Sequence, residues 1–207
     1  GSRNLLLFLF VSSLLAVVAY KFIPVYYTPL MFIRVYEQVR DSKSIKLEHK
    51  WMPLKQIAQP LAQAVVASED NLFLDYDGFD MIQIQKARAD AEKGKRVRGA
   101  STISQQTAKN VFLWPGRTYL RKGIEAYFTV LIEWIWGKER IMEVYLNSIE
   151  MGDGIYGAEA VAQAHFKKPA YKLTKAEAAL IAATLPNPRK FNSAKPSPYM
   201  LKRQTKI

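Results

Sequence analysis

Residues 5–19 read LLLFLFVSSLLAVVA, and this apolar stretch decides how the whole chain is arranged. Residues 20–23, Tyr-Lys-Phe-Ile, extend it, and it contains no charged residue before Lys21. A membrane-spanning helix needs ~20 predominantly apolar residues, and a lysine near its end can extend its charge toward the headgroups. The stretch therefore predicts one transmembrane helix over residues 5–23.

Two other interpretations fit the apolar stretch less well. A signal peptide has a shorter apolar core that ends at a small-residue cleavage site, whereas Lys-Phe-Ile-Pro-Val-Tyr-Tyr follows here. A buried core helix shows polar periodicity, which this stretch lacks. We expect an uncleaved anchor preceded by a short cytoplasmic tail, residues 1–4, in which Gly1-Ser2 resembles a remnant of recombinant expression. The long remainder is then an exported domain.

Composition narrows the class of partner. The 207 residues include 30 Lys and Arg against 18 Asp and Glu, a net charge of +12. Such an excess favours nucleic acid, an anionic membrane surface or a phosphate-bearing substrate. The anchor favours the last two, because a nucleic-acid binder does not need one. Cysteine is absent, which excludes disulfides and thiolate metal sites, and the two histidines lie far apart in the sequence.

The chain after the anchor divides into a connector and one domain. Residues 24–52 mix aromatic and basic side chains, a combination that suits the membrane interface. Residues 53–207 show three- and four-residue apolar spacing and little strand alternation, so we predict a mainly α fold. At most one short hairpin is expected, from Val25-Tyr26-Tyr27 and Ile45-Lys46-Leu47 in the preceding stretch. The predicted helices are Pro53–Ser68 (divided at Pro60), Met81–Lys93, one beginning after Thr102, Tyr119–Trp136, Lys138–Leu146, Ile155–Phe166 and Thr174–Leu185.

One predicted helix start has the properties of an anion site. Thr102 followed by Gln105 is a capping-box pattern, as is Thr174 followed by Glu177. Free N–H groups and the helix dipole favour anions at such an end, and we expect Lys109 to add positive charge there. A plain capped helix is the alternative.

Two carboxylates stand in separate, otherwise apolar settings. Glu69 follows the C-terminal end of one predicted helix, and Glu125 lies within another, where the simplest interpretation of its i,i+4 spacing from Arg121 is a surface ion pair. A carboxylate can act as a general base on a sugar hydroxyl. These residues alone do not distinguish base-catalysed sugar transfer from binding of a lipid headgroup. The cations and amides that accompany the carboxylates are Gln105, Gln106, Lys109, Arg117 and Lys122.

Four successive motifs resemble those of the peptidoglycan glycosyltransferases, glycosyltransferase family 51. Their order and spacing agree with that family from Ala64 to Asn192. The single anchor and the absence of a penicillin-binding domain resemble its monofunctional members. The motifs are Glu69-Asp70-Asn71-Leu72-Phe73 with Gly78; Gly99 to Gln106 with Lys109-Asn110; Arg121-Lys122-Gly123-Ile124-Glu125; and Lys138 through Ile141 to Tyr145-Leu146-Asn147.

The resemblance implies a lysozyme-like α fold with a small jaw lobe near the membrane. It implies polymerisation of lipid II, with Glu69 as the general base that deprotonates the acceptor 4-hydroxyl. Inversion at the donor anomeric carbon then gives a β-1,4 link, and Glu125 assists the leaving pyrophosphate or orients cations around it. The same motifs imply substrate contacts for Ser101, Gln105, Gln106, Lys109, Asn110, Arg117, Arg121, Lys122, Asn147 and Arg203.

The resemblance also implies a setting. The substrates are lipid II and glycan linked to undecaprenyl pyrophosphate, among membrane lipids, and the protein partners are those of cell division or elongation, with no nucleic acid. No organic cofactor is expected, and a divalent cation, Mg²⁺ or Mn²⁺, is compatible with the pyrophosphate as its ligand. We expect sensitivity to moenomycin and a single-pass protein of the bacterial inner membrane with its catalytic domain in the periplasm.

Three positions depart from the family pattern. Tyr76 stands where a histidine is usual, Ala100 replaces a glycine, and Ser104 replaces a threonine. Two other functions fit a lysozyme-like chain of this kind. A lytic transglycosylase or muramidase would need a protonated glutamate and no pyrophosphate site, and an inactive membrane-anchored scaffold of the cell-wall machinery would not need both Glu69 and Glu125.

Overall fold

The computed structural model describes residues 2–95, 101–116 and 118–207. The described chain is mainly α-helical, which confirms the predicted fold class, and it adds one small three-stranded sheet. In chain order the elements are α1 (Ser2–Phe22), α2 (Pro29–Arg40), β1 (Glu48–His49), α3 (Gln59–Glu69), α4 (Met81–Glu92), α5 (Ile103–Phe112), α6 (Tyr119–Ile135), α7 (Gly137–Ser148), β2 (Glu150–Gly152), β3 (Ile155–Tyr156), α8 (Ala158–Val161), α9 (Lys175–Thr184) and α10 (Pro198–Gln204).

The N-terminal helix α1 has the length and composition of a membrane span. Residues Arg3–Phe22 have a mean hydropathy of 2.3, and only 6% of the most apolar part is buried against the rest of the protein. The side chains from Leu5 to Phe10 are exposed. Large apolar side chains left outside the protein core are compatible with a lipid environment, so the helix is consistent with a single-pass anchor.

Polar contacts join the C-terminal half of α1 to α6 and α7. Trp136 Nε1 donates a hydrogen bond to the Val17 carbonyl over 2.7 Å. Arg140 Nη2 donates to the carbonyls of Tyr20 (2.8 Å) and Ile23 (2.7 Å), groups near a helix end where intrahelical partners run out. Helix α1 therefore packs on the rest of the protein through its C-terminal half.

The core lies where α5 packs on α6 and α7 and α3 packs on α9. Tyr145, Ile103, Ile141 and Leu61 are fully buried in it. Ile141 and Tyr145 lie four residues apart on α7, so that helix turns one apolar face inward. The packing brings the C-terminal end of α3, which carries Glu69, next to the N-terminal half of α5.

The small sheet differs from the predicted hairpin. Strand β3 pairs antiparallel with β2 and parallel with β1, so the hairpin is formed by residues 150–156. Neither Val-Tyr-Tyr nor Ile-Lys-Leu forms a strand, although the latter directly precedes β1. After β3 the chain turns at Gly157, with φ of +82°, where a Cβ atom would lie 2.6 Å from the Asn147 carbonyl oxygen. Only glycine fits such a turn.

Several helix bounds also differ from prediction. Pro60 does not divide a longer helix but lies in the first turn of α3, because a residue without an N–H is tolerated where that group has no helical partner. A 3₁₀ turn, Leu54–Gln56, precedes it. The helix predicted over Ile155–Phe166 begins as β3 and continues as α8 and a π-helical turn, and α2 and α10 were not predicted.

Candidate active site

Glu69 lies at the C-terminal end of α3 and faces groups from α5 and α10. Gln106 Nε2 donates to Glu69 Oε2 over 3.4 Å, and Ser68 Oγ donates to Oε1 over 3.1 Å. Arg203 Nη2 lies 3.9 Å from Oε1 and donates to Ser68 Oγ over 2.7 Å. Two donors thus hydrogen-bond a partly exposed carboxylate, and one guanidinium lies at ion-pair distance from it.

The neighbouring Asp70 is the anion that occupies the start of α5. Its Oδ2 accepts the Ile103 N–H over 2.8 Å, and its Oδ1 accepts the hydroxyl of Tyr76. The expectation that this helix end is free for a substrate anion is therefore wrong for the Ile103 N–H. Burial raises the pKa of Asp70, while the two hydrogen bonds act in the opposite direction.

The turn that follows Asp70 is attached to the same helix end. Thr102 Oγ1 donates to the Gly78 carbonyl over 2.7 Å. Gly78 has φ of +85°, and a Cβ atom there would lie 2.9 Å from Thr129 Cγ2. Any other residue at this position would therefore strain the backbone and overlap with the Thr129 side chain. The predicted capping box is confirmed. Its second hydrogen bond uses the side chain of Gln105, whose Oε1 accepts the Thr102 N–H over 3.0 Å.

Glu125 is the centre of a buried charge cluster on α6. Arg121 Nη1 lies 2.7 Å from Oε2, and Lys122 Nζ lies 2.5 Å from Oε1. The predicted pairing of Arg121 with Glu125 is present, but its expected surface position is wrong. Only 7% of Arg121 and 2% of Glu125 are exposed, because α5 packs over this face of the helix.

Ser101 connects the two carboxylate environments. Its carbonyl accepts from Gln106 Nε2 over 3.4 Å, and its hydroxyl accepts from Lys122 Nζ over 3.2 Å. Tyr145, which the motif contained but which was not predicted as a site residue, donates from its hydroxyl to Gln106 Oε1 over 3.1 Å. The amide of Gln106 is thereby oriented with its N–H groups toward Glu69.

Lys109 extends the cationic region along α5. It lies in the last turn of that helix, so the expectation of a lysine at the helix N-terminus is wrong. Burial lowers the pKa of Lys109, and Glu125 opposes that effect. Lys109 and Asn110 line a pocket of about 330 Å³, together with Leu30, Arg34, Leu113, Trp114, Pro115, Gly116 and Arg121.

One predicted contact residue, Asn147, is not brought to this cluster. Asn147 is fully buried and exchanges hydrogen bonds of 2.8 Å with the backbone N–H and carbonyl of Met52. Arg117 lies outside the described residues, as do Gly99 and Ala100 of the second motif. Within the described ranges, no group of three or more His, Asp or Glu residues is arranged to hold a metal ion.

This chain is similar to several known proteins of one family. Residues 37–207 match a protein family described as Transglycosylase. A "Biosynthetic peptidoglycan transglycosylase" of Bacteroides thetaiotaomicron is 60% identical over 206 residues, which cover 100% of this chain and 83% of that protein. Proteins of the same name from Caulobacter vibrioides and Bdellovibrio bacteriovorus are 54% and 52% identical, over 99% of this chain and 89% and 82% of their own lengths.

Proposed function

This chain belongs to the transglycosylase family, and we propose that it polymerises lipid II into glycan strands. It is a peptidoglycan glycosyltransferase. The observation that supports the detailed proposal is the position of Ser101 between Gln106, beside Glu69, and Lys122, beside Glu125. A proton acceptor and a cation cluster for pyrophosphate are thereby neighbours.

Glu69 is the general base of the proposed reaction. It accepts the proton of the acceptor 4-hydroxyl while that oxygen attacks the donor anomeric carbon. The bond from this carbon to the pyrophosphate breaks, and undecaprenyl pyrophosphate leaves with the electron pair. Attack opposite the leaving group inverts the carbon and forms a β-1,4 link. A positioned base of this kind contributes about 10²- to 10⁴-fold to the rate.

The cations near Glu125 stabilise the leaving group. Charge develops on the pyrophosphate as the bond breaks, and fixed positive groups in a partly dry site stabilise that charge strongly. Arg121 and Lys122 are oriented by Glu125, and Lys109 lies close enough for all three to affect its pKa. We propose further substrate contacts for Ser101, Gln106, Asn110, Arg117 and Arg203, and supporting structural roles for Gln105 and Asn147.

The cationic lining also suggests how a metal ion takes part. The site offers amide and cationic groups, which bind phosphate, and carboxylates that are already paired with cations. A divalent cation, Mg²⁺ or Mn²⁺, would therefore enter bound to the substrate pyrophosphate.

The apolar helix α1 supports a location in the bacterial inner membrane, with the domain in the periplasm and membrane lipids around the anchor. Proteins of cell division or elongation are the proposed protein partners.

The test is incubation of the detergent-solubilised full chain with labelled lipid II, with products resolved by gel electrophoresis. We expect long glycan strands whose formation moenomycin prevents. Cleavage of added glycan without polymer would instead indicate a lytic enzyme, and neither activity would indicate a scaffold. A Glu69→Gln variant in the same assay separates the role of the base from the overall function.

A further inference from the structure

The pocket beside Lys109 is lined by residues that carry buried hydrogen-bond donors without a partner. Among the described residues, the buried Nδ2 of Asn110 and Nε atoms of Arg121 and Arg34 have no hydrogen-bond partner. All three residues line this one pocket. Asn110 is 3% exposed and Arg121 is 7% exposed, so bulk water does not solvate them freely. Unpaired buried donors cost free energy, and the ligand that removes this cost carries acceptor oxygens.

Arg34 comes from a different part of the chain than the other cations. It lies on α2, whereas the family match begins at residue 37. Its Nη1 donates to Glu37 Oε2 over 2.7 Å, and its Nε lies 3.6 Å from Glu150 Oε2. Two carboxylates therefore orient the guanidinium, and Nη1 is its one nitrogen that donates a hydrogen bond to a described residue.

The lining indicates a ligand with an anionic end and an apolar chain. Lys109, Arg121 and Arg34 supply positive charge, and Leu30, Leu113 and Trp114 supply apolar surface. Guanidinium groups bind phosphate oxygens through paired N–H donors. A polyprenyl pyrophosphate has both chemical parts. Helix α2, which carries Arg34, begins only a few residues after the apolar helix α1.

We propose that Arg34 is a substrate-binding residue, which contacts the pyrophosphate of the polyprenyl-linked donor from helix α2. This inference rests on the proposed function for the identity of the donor. The N-terminal part of α2, ahead of the family match, then completes the donor site, and its apolar residue Leu30 covers the first part of the prenyl chain.

Arg189 provides a matched control for the ion pairs of Arg34. Its Nη1 lies 3.6 Å from Glu37 Oε2, the same oxygen that Arg34 contacts, and its Nε lies 3.7 Å from Asp153. Arg189 does not line the pocket. Arg189→Gln therefore weakens the shared charge network without removing a group from the proposed donor site.

The experiment measures binding of farnesyl pyrophosphate to the full chain in detergent by titration calorimetry. We expect Arg34→Gln to weaken binding about tenfold, or ~1.4 kcal/mol, and Arg34→Lys to weaken it less because the charge stays. Arg189→Gln should bind like the wild type, and thermal unfolding should show all variants folded. With lipid II, Arg34→Gln should raise KM more than it lowers kcat.

Any of three binding results would overturn the inference: no binding by the wild type, binding by Arg34→Gln within twofold of the wild type, or equal weakening by Arg189→Gln. Failure of the proposed function would look different. A wild-type protein that binds farnesyl pyrophosphate through Arg34 but never polymerises lipid II contradicts the function and supports the site. Normal polymerisation by Arg34→Gln contradicts the site alone.

Discussion

Gln106 Nε2 donates a hydrogen bond to Glu69 Oε2 over 3.4 Å, while the hydroxyl of Tyr145 donates to Gln106 Oε1. A fully buried tyrosine thus fixes which end of the amide faces the carboxylate. An amide N–H can donate to a carboxyl oxygen whether the carboxyl group is ionised or protonated. The arrangement therefore orients Glu69 and still allows it to accept a proton.

The first prediction concerns Glu69→Gln. Because an amide of nearly the same shape does not accept the acceptor proton, we expect polymerisation of lipid II to fall at least ~100-fold. Binding of moenomycin, measured by fluorescence polarisation, should stay close to that of the wild type. The control is Glu92→Gln on the exposed face of α4. Near wild-type turnover in Glu69→Gln would rule out the base assignment.

The second prediction concerns the charge on Lys109. Because burial lowers its pKa, neutral lysine accumulates as the pH rises toward the ordinary value of 10.5, and the cation for the pyrophosphate is lost. We therefore expect kcat/KM for lipid II to fall on the alkaline side at a pH below 10.5. Lys109→Arg, which stays protonated, should move this limb to higher pH.

Lys109→Ala should reduce kcat/KM at neutral pH, whereas Lys93→Ala, at the exposed C-terminal end of α4, should have no effect. An alkaline limb that is the same in Lys109→Arg and the wild type would assign that titration to another group.

The third prediction concerns the buried pair of Arg121 and Glu125. Glu125→Gln leaves the guanidinium without a buried counter-charge, and breaking a buried pair in this way costs ~3 kcal/mol or more. We expect a clear drop in the free energy of unfolding, measured with denaturant in detergent. The double variant Arg121→Met, Glu125→Gln should recover part of the loss, because no unpaired guanidinium remains. A single variant as stable as the wild type would contradict this prediction and mean that water solvates the guanidinium in place of Glu125.

The fourth prediction concerns Tyr76, which donates to Asp70. Tyr76→Phe removes a hydrogen bond that lowers the pKa of Asp70, so the pKa of this buried carboxyl should rise further. A raised carboxyl pKa means that the folded state binds more protons than the unfolded state between the two pKa values, so stability falls as the pH rises through that window. We expect a loss of ~1–3 kcal/mol at neutral pH and a smaller loss near the ordinary Asp pKa of 3.8.

Tyr76→His tests whether the residue usual in the resembling family supports the same turn. It should retain polymerisation if a donor to Asp70 is what this position requires. A loss of stability in Tyr76→Phe that is equal at all pH values would show that the hydroxyl acts by packing and not through Asp70.

Local sequence predicted the features that depend on neighbouring residues. The capping boxes at Thr102 and Thr174 formed as predicted, because a cap requires only a side chain and the N–H groups of the next turn. Most helices were predicted within a few residues for the same reason. The same type of local signal was present at α2, where Thr28 caps a helix with Pro29 in its first turn, but the mixed aromatic and basic composition obscured it.

Long-range packing decided the features that were missed. Spacing showed that Arg121 and Glu125 share a helix face, but only the position of α5 made that face buried. Nothing near Arg34 in the sequence indicates Lys109 or Asn110, since these residues meet only when α2 packs against α5. The anion at the start of α5 is likewise Asp70, from a distant turn.

The sequence by itself determined the apolar N-terminal helix, the helical class, and the catalytic motifs through their resemblance to a known family. These follow from residue type and short-range spacing. The tertiary structure alone decided which groups share an environment: Arg203 with Glu69, Ser101 with both carboxylate environments, and Arg34 with the pocket at Lys109. The physical reason is that burial and charge pairing depend on distances between segments, which packing of the whole chain sets and no local pattern encodes.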